Sequence, residues 1–323
     1  DAFFVRNHGP IPALAADHPV AITGLVANPA LYATEQLNAA FAPHIITATV
    51  QCAGNRRAHL QDVAPTKGDH WDVGAIGTAE WTGVMLDDVL AVAGVGEGAE
   101  HIAFTASDLA EGGGATAPYQ VSVPLALARS RGALIAWAMN GAPLTPEHGF
   151  PLRLVLPGAA GVRSVKWLTG IEVRATESPA PMHARDYKLF PPDVTAEAAD
   201  WKTGAPIYDL PANSAICVPS DGDRVRAGSV ELRGWAMAAD GISRVELSCD
   251  GGASWDAAVL ERGTDAGSWV LWRASPTLAA GRHEIVVRAF DGQGRGQPAD
   301  PAAIWNFKGY VANAWHRVTV TAV

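Results

Sequence analysis

Residues 50–60 read VQCAGNRRAHL, so Cys52 is followed closely by Asn55, Arg56 and Arg57. A thiolate, not a thiol, acts as a nucleophile or metal ligand, and neighbouring guanidinium charge favours the thiolate. Thiolates are soft ligands suited to soft or high-valent metals. The sequence has no CxxC and no pair of histidines at helical spacing, which argues against zinc. No cysteine-protease signature surrounds Cys52 either. On the residues alone two readings stand: a metal-holding thiolate next to an anion-binding pair, or an inert buried thiol that packs as a small hydrophobe.

Three further clusters bring donors to turns. In FFVRNHGPIP, Arg6, Asn7 and His8 precede a Gly-Pro turn, and the planar fork of an arginine suits an oxyanion. HGFPLR and VRSVKW supply His148, Arg153, Arg163, Ser164 and Lys166 beside glycine-rich backbone, a combination that suits phosphate or another polyanion. Neither GxxxxGK[ST] nor GxGxxG occurs, so a P-loop and a dinucleotide fingerprint are not supported. In ARDYKLFPP, Tyr187 stands between Asp186 and Lys188 ahead of Pro-Pro and could serve as a positioned phenol. Each cluster alone also fits an ordinary solvated loop or linker.

These side chains need elements to hold them. HIITATVQC alternates branched apolar residues and is expected to be a strand running into the Cys52 loop. VMLDDVLAVAG has helical spacing and a terminal glycine, as expected of a short capped helix. ALIAWAMNG and PLRLVLPG are expected to be buried strands ended by turns. APLTPEHGFP, EGGGATAPY and PGAAGVRSVKW are expected loops, and loops on a rigid scaffold commonly carry chemistry. After the proline-rich stretch 177–194, and clearly after about 205, SVELRGWAM, ISRVELSCDGG, SWVLWRAS and RHEIVVRAF are short alternating strands, with DGG as a hairpin signal. The pattern predicts an α+β chain: a mixed α/β domain over 1–200, then an all-β sandwich of immunoglobulin-like size over 205–323.

Bulk properties agree. The 323 residues suffice for about two domains. Hydrophobic residues make up 48%, enough for a sizeable core. The net charge of −9 argues against a nucleic-acid partner, so an anion site must be a local basic patch. Cys52, Cys217 and Cys249 do not form a disulfide framework; a Cys217–Cys249 bridge is open, with buried free thiols the expectation. No apolar stretch reaches the roughly 18 residues of a membrane span. The chain begins at Asp1 rather than Met, so residues upstream are expected, among which a signal peptide or a further domain could stand. Low lysine with abundant alanine, glycine and tryptophan points towards a GC-rich bacterial source; if the protein is bacterial, a periplasmic location is the expectation.

Taken in order, RNHGPIP, QCAGNRR, WDVGAIGTAEW, EHGFPLRLVLPG, GVRSVKWL, DYKLFPP and NFKGYVANAWHRV resemble the sulfite oxidase family of molybdenum enzymes over nearly the full chain. Related plant-type nitrate reductases have Met for the serine of RSVKWL and no tyrosine in the DYK position; this sequence sides with sulfite oxidase at both. The resemblance implies a molybdopterin domain and an immunoglobulin-like domain that dimerises. It implies Cys52 as the molybdenum ligand, and Arg6, Arg57 and Tyr187 in the substrate pocket with Lys67 and Trp71 nearby. It implies Arg6, Asn7, His8, Asp108, His148, Arg153, Ser164, Val165 and Lys166 as holders of the pterin and its phosphate.

The implied reaction is oxidation of sulfite to sulfate, with electrons passed to an external acceptor, a cytochrome or dioxygen. Nothing in the chain resembles haem ligation, unlike the animal enzymes with their cytochrome b5-type domain. Animal and plant members carry arginine where this chain has Lys308, in the anion pocket. Lysine keeps the charge and loses the fork, so weaker sulfite affinity or an altered oxyanion preference is expected. Two alternatives remain: a molybdopterin-dependent reductase of an S-oxide, N-oxide or other oxyanion, and a non-catalytic binding protein with an inert Cys52.

Overall fold

The run ahead of Cys52 does form a strand, His44–Gln51, in the computed structural model, which describes residues 3–112, 115–261 and 267–323. The chain divides into two units. The first comprises 1–53, 77–190 and 197–208; the second comprises 54–76, 191–196 and 209–323. The segment 54–76 lies within the expected first domain in sequence, yet it clusters with the C-terminal unit.

Two sheets build the first unit, and the first of them is mixed. One runs Ala30–Tyr32, Val20–Gly24, Leu168–Arg174, His101–Gly112 and Ala115–Pro124, with Val20–Gly24 parallel to Leu168–Arg174. The other runs His44–Gln51, Ile76–Met85, Leu134–Met139 and Ala142–Pro143, with Arg153–Val155 also paired to Leu134–Met139. Ala48, Val50, Ala79, Trp81, Leu134, Ala136 and Val155 form the core of this second sheet. Their i, i+2 spacing is what a strand with one buried face requires. The Trp81 indole N–H is satisfied inside that core by the carbonyl of Ala48 at 3.1 Å.

The expected helix forms at Leu86–Ala93, where Gly94 caps it in the left-handed region at φ 68°. Its first expected residues, Val84 and Met85, instead complete the strand Ile76–Met85. ALIAWAMNG and PLRLVLPG contain the strands Leu134–Met139 and Arg153–Val155. EGGGATAPY is not a loop: 111–112 and 115–119 extend two paired strands, and residues 113–114 lie outside the described residues.

The second unit is a β-sandwich. One sheet is Asn213–Val218, Leu232–Met237, Val270–Ala274 and Val259–Glu261. The other is Arg224–Val225, His316–Ala322, Gly281–Asp291, Ile242–Ser248 and Asp256–Ala257. Ile216, Leu232 and Trp272 from one sheet share a core with Val245, Leu247, Ile285, Val287, Val318 and Val320 from the other. Each such side chain contributes about 1.5–3 kcal/mol on burial. The DGG signal lies in the connection between Ile242–Ser248 and Asp256–Ala257, a longer turn than a two-residue hairpin. The cysteines are free, and Cys217 is exposed rather than buried.

Candidate active site

In the first unit the chain ends of several strands surround a cleft of about 710 Å³, part of it open to solvent. Arg6, Asn7, His8, Cys52, Asp108, His148, Arg153, Ser164, Val165, Lys166 and Tyr187 all line it. Three of the sequence clusters and Cys52 therefore meet in one place. Cys52 is half-buried at the end of His44–Gln51. Gln51 bridges Ala160 in parallel fashion, and a Cβ on Gly161 would stand 2.9 Å from the Gln51 carbonyl oxygen. Glycine there lets the PGAAGVRSVKW segment approach the cysteine loop closely.

The RNHGP turn is seated in the same way. A Cβ on Gly9 would lie 2.1 Å from the Leu109 carbonyl oxygen. Leu109 closes an irregularity in the pairing of His101–Gly112 with Ala115–Pro124, between Thr105 and Leu109. Bulges re-aim side chains, and this one contains Asp108. Asp108 Oδ1 is buried without a hydrogen-bond partner, and burial raises the carboxyl pKa above its ordinary value.

The cleft is electrically unusual. Arg153 is fully buried, donates to the carbonyls of His148 at 2.9 Å and Ser164 at 3.3 Å, and stacks over Trp81 at 4.6 Å. Burial lowers its pKa to about 9, which still leaves it charged near neutrality. Lys166 donates to Asn7 and to the Glu147 carbonyl at 2.8 Å. An ammonium has three donors, so one remains. Burial, followed by repulsion from Arg153, lowers the Lys166 pKa to about 7. An anion arriving here would raise it again. Ser164 Oγ accepts from the Leu156 amide at 3.1 Å, which leaves its hydroxyl proton as a donor, while the Val165 carbonyl is taken by the Leu154 amide at 2.7 Å. Burial, then Arg153, lowers the His148 pKa.

His8 and Tyr187 share a hydrogen bond of 2.6 Å between Nε2 and the phenol oxygen. Burial, then Arg6 and Lys166, lower the His8 pKa to about 3, so its imidazole is neutral. Its ring also packs against Tyr119 at 5.4 Å. Phe3, Trp81 and Tyr119 are wall and support residues that sequence reasoning missed. The buried alternation of Tyr119, Val121 and Val123 was a usable signal for the strand carrying Tyr119.

Arg57, Lys67, Trp71 and Lys308 belong to the second unit. Arg57 Nε donates to the Lys308 carbonyl at 3.0 Å, and Nη1 donates to the Asp69 carbonyl at 2.7 Å. Its guanidinium lies over Tyr310 at 5.3 Å. Cβ atoms built on Gly54, Gly68 and Gly309 would fall 2.4, 2.7 and 2.5 Å from Arg57 side-chain atoms, so glycine on three sides makes room for it. Lys67 is exposed, and its amide donates to the Phe307 carbonyl at 3.0 Å. Trp71 Nε1 is a buried donor without a partner.

Arg56 behaves differently from its neighbour. It is 2% exposed, donates to Asn213 Oδ1 at 2.7 Å and to the Ser214 carbonyl at 3.1 Å, and so ties its loop to a sandwich strand. Arg56 therefore spends these donors on the fold of its own unit. Nearby, His59, Asp72 and His316 place ligand-type atoms within 4.8 Å of one another. His316 Nδ1 accepts from the Ile216 amide, which leaves the proton on Nε2, and His59 Nδ1 accepts from Arg56 while Nε2 meets Asp72 at 2.7 Å. With these lone pairs committed and a buried guanidinium alongside, the group is a hydrogen-bonded support rather than a metal site.

Residues 8–182 match the oxidoreductase molybdopterin binding domain, and residues 204–323 match the Mo-co oxidoreductase dimerisation domain. The chain is 40% identical over 330 residues to sulfite oxidase of Gallus gallus, covering 98% of this chain and 71% of that one. It is 38% identical over 344 residues to sulfite oxidase of Arabidopsis thaliana, covering 98% and 86%. Sulfane dehydrogenase SoxCD from Paracoccus pantotrophus shares the fold, with a TM-score of 0.83, 24% identity and coverage of 97% and 78%. The chain belongs to the molybdopterin-binding oxidoreductase family and carries that family's dimerisation domain.

The cleft fits molybdopterin. A pterin offers ring N–H donors, and Asp108 Oδ1 is a buried acceptor with none. Its phosphate requires cations, and Arg153 and Lys166 lack a carboxylate among their hydrogen-bond partners. The metal requires a soft ligand, and Cys52 is the cleft's thiol. Among the described residues no helix is long and apolar enough to cross a membrane.

Proposed function

We infer that this protein oxidises sulfite to sulfate as a molybdopterin-dependent oxidoreductase. The observation that carries this is the cleft joining a lone thiol, a buried arginine, a half-buried lysine, an orphan carboxylate and a phenol–imidazole pair, in a chain aligned along 98% of its length with sulfite oxidases. Held by Cys52, a molybdenum centre would supply oxygen-atom transfer and two-electron uptake.

The chain's own residues do the rest. Cys52 is proposed as the thiolate ligand. Asn7, His8, Asp108, His148, Arg153, Ser164, Val165 and Lys166 are proposed to hold the pterin and phosphate, together with Arg6. Arg6, Arg57, Lys67, Trp71, Tyr187 and Lys308 are proposed to bind and orient the sulfite anion. Two carbonyls hold the plane of the Arg57 guanidinium and leave Nη2 to donate. Such preset donors stabilise developing negative charge without reorganising during reaction. Tyr187 would donate its phenol proton to substrate oxygen, with His8 keeping the hydroxyl in place. Lys308 would act as a point charge without a fork.

Electrons then pass to an acceptor outside the chain. A c-type cytochrome is proposed, with dioxygen as the alternative, because a body of net charge −9 attracts a basic carrier. Rates with such a carrier should fall as salt is raised, and insensitivity to salt would remove this proposal. The dimerisation domain supports a homodimer. The function itself is tested by sulfite-dependent reduction of ferricyanide without oxygen. Rapid reduction is expected; no reduction by a protein shown to contain molybdenum would favour the reductase reading instead.

A further inference from the structure

Tyr187 follows directly on a π-helical turn, Met182–Asp186, closed by the Tyr187 amide donating to the Met182 carbonyl at 3.2 Å. Such turns are rare and often sit at functional sites. Inside this one is His183, whose side chain is fully buried. Its Nδ1 accepts from Arg163 Nη1 at 2.8 Å and from the Ser122 amide at 3.2 Å. With Nδ1 an acceptor, the ring proton belongs on Nε2, which faces Glu177 Oε2 at 3.3 Å. Arg163, His183 and Glu177 therefore form a row of cation, neutral imidazole and carboxylate.

The row grips Tyr187 from two sides. Through His183 it fixes the turn that delivers the tyrosine. Through Arg163 Nε it holds the Ile207 carbonyl at 2.8 Å, and the Ile207 amide donates to the Tyr187 carbonyl at 3.2 Å. Glu177 is fixed in turn by the Tyr208 hydroxyl at 3.0 Å, and Tyr208 lies under the Arg163 guanidinium at 5.0 Å. Arg163 also immediately precedes Ser164, Val165 and Lys166 in the cleft wall. One buried guanidinium thus ties that wall to the segment carrying the phenol. None of these three side chains lines the cleft.

We propose that Arg163, His183 and Glu177 are positioning residues that set where the Tyr187 hydroxyl stands. The proposal rests on the reading of Tyr187 as the phenol that meets substrate. A bond network is a suitable device because the phenol is hydrogen-bonded to His8, itself a proposed cofactor holder, so the segment behind Tyr187 must bring the hydroxyl to that side chain. Backbone placement then decides whether the hydroxyl reaches substrate, and a misplacement of about 1 Å can cost up to a hundredfold in rate.

The test uses the holoenzyme with 3-fluorotyrosine placed at residue 187 alone, observed by fluorine NMR. Glu177→Gln and His183→Leu are expected to shift or split the resonance. His183→Asn, which keeps an acceptor near the Nδ1 position, is expected to restore most of the wild-type signal. An unchanged resonance in both Glu177→Gln and His183→Leu would overturn the proposal. A double-mutant cycle supplies the kinetic arm. Glu177→Gln should lower kcat/KM about tenfold in the wild-type background and leave it unchanged in the Tyr187→Phe background. Losses that multiply in the double variant would mean that Glu177 acts elsewhere and would also overturn it. If Tyr187→Phe alone leaves turnover intact while the fluorine signal still responds, the substrate role of Tyr187 fails and the positioning stands.

Discussion

Cys52 and Arg57 lie five residues apart and are held by opposite means. Cys52 is half-buried at a strand end. Arg57 is packed tightly, with carbonyls on two of its nitrogens and glycines around it. Cys52→Ser changes one atom at a half-open position, so stability should stay within about 0.5 kcal/mol. Sulfite oxidation should be essentially lost, because a hydroxyl is a hard and weak ligand where a soft one is required. Paired denaturant curves and turnover measurements check both halves; substantial retained activity would sink the ligand assignment. Gly309 probes the arginine. Its φ of 63° is left-handed, and an added Cβ would fall 2.5 Å from Arg57 Cγ, on the stem rather than the flexible tip. Gly309→Ala must therefore move Arg57. The expected result is a rise of about tenfold in KM for sulfite, equivalent to one charge-assisted hydrogen bond, with a smaller change in kcat. An unchanged KM would place Arg57 outside anion binding.

At the scale of elements, the cleft depends on short segments fastened to strands. Arg153 starts the strand Arg153–Val155 and bonds the carbonyls of His148 and Ser164, one from each flanking turn. Arg153→Met keeps the apolar stem over Trp81 but strands two buried carbonyls. The net cost should be about 2 kcal/mol, after the relief of no longer burying a charge. Chemical denaturation and molybdenum content read out the two consequences; wild-type values for both would show that neither turn needs the guanidinium. The strands themselves were legible, since HIITATVQ and RHEIVVRAF alternate with the period that a half-buried strand imposes. The hairpin 101–124 was not. Its glycine run looks like a loop, and the irregularity that aims Asp108 exists only through pairing with the partner strand. The π turn at 182–186 was hidden for a related reason: its stability comes from Arg163 and Glu177, outside the turn itself.

Across the whole molecule, sequence clusters foretold the cleft lining because the motif residues are themselves the lining. Residue type alone could not tell Arg56 from Arg57, which only the family resemblance separated, because the partners of Arg56 are Asn213 and Ser214, more than 150 positions away. The same long-range burial gives the protein a common response to acid. Burial lowers the pKa of His8 to about 3 and of His183 to about 4, and it also lowers His59, His148 and His316. In the unfolded chain these imidazoles titrate near 6.5. At pH 5 the unfolded state therefore holds about two more protons than the folded state on His8 and His183 alone, and the other three act in the same direction. Stability is full above 6.5 and is lost as pH falls from 6.5 towards the folded values. The window from 6.5 to 5 isolates the histidines, because most carboxylates titrate lower still. The melting temperature should fall steadily across that window, and His183→Asn should make the fall shallower by about one proton's worth. A melting temperature that is flat from pH 6.5 to 5 would mean that these imidazoles take up protons in the folded protein, and the neutral row through His183 would fail with it.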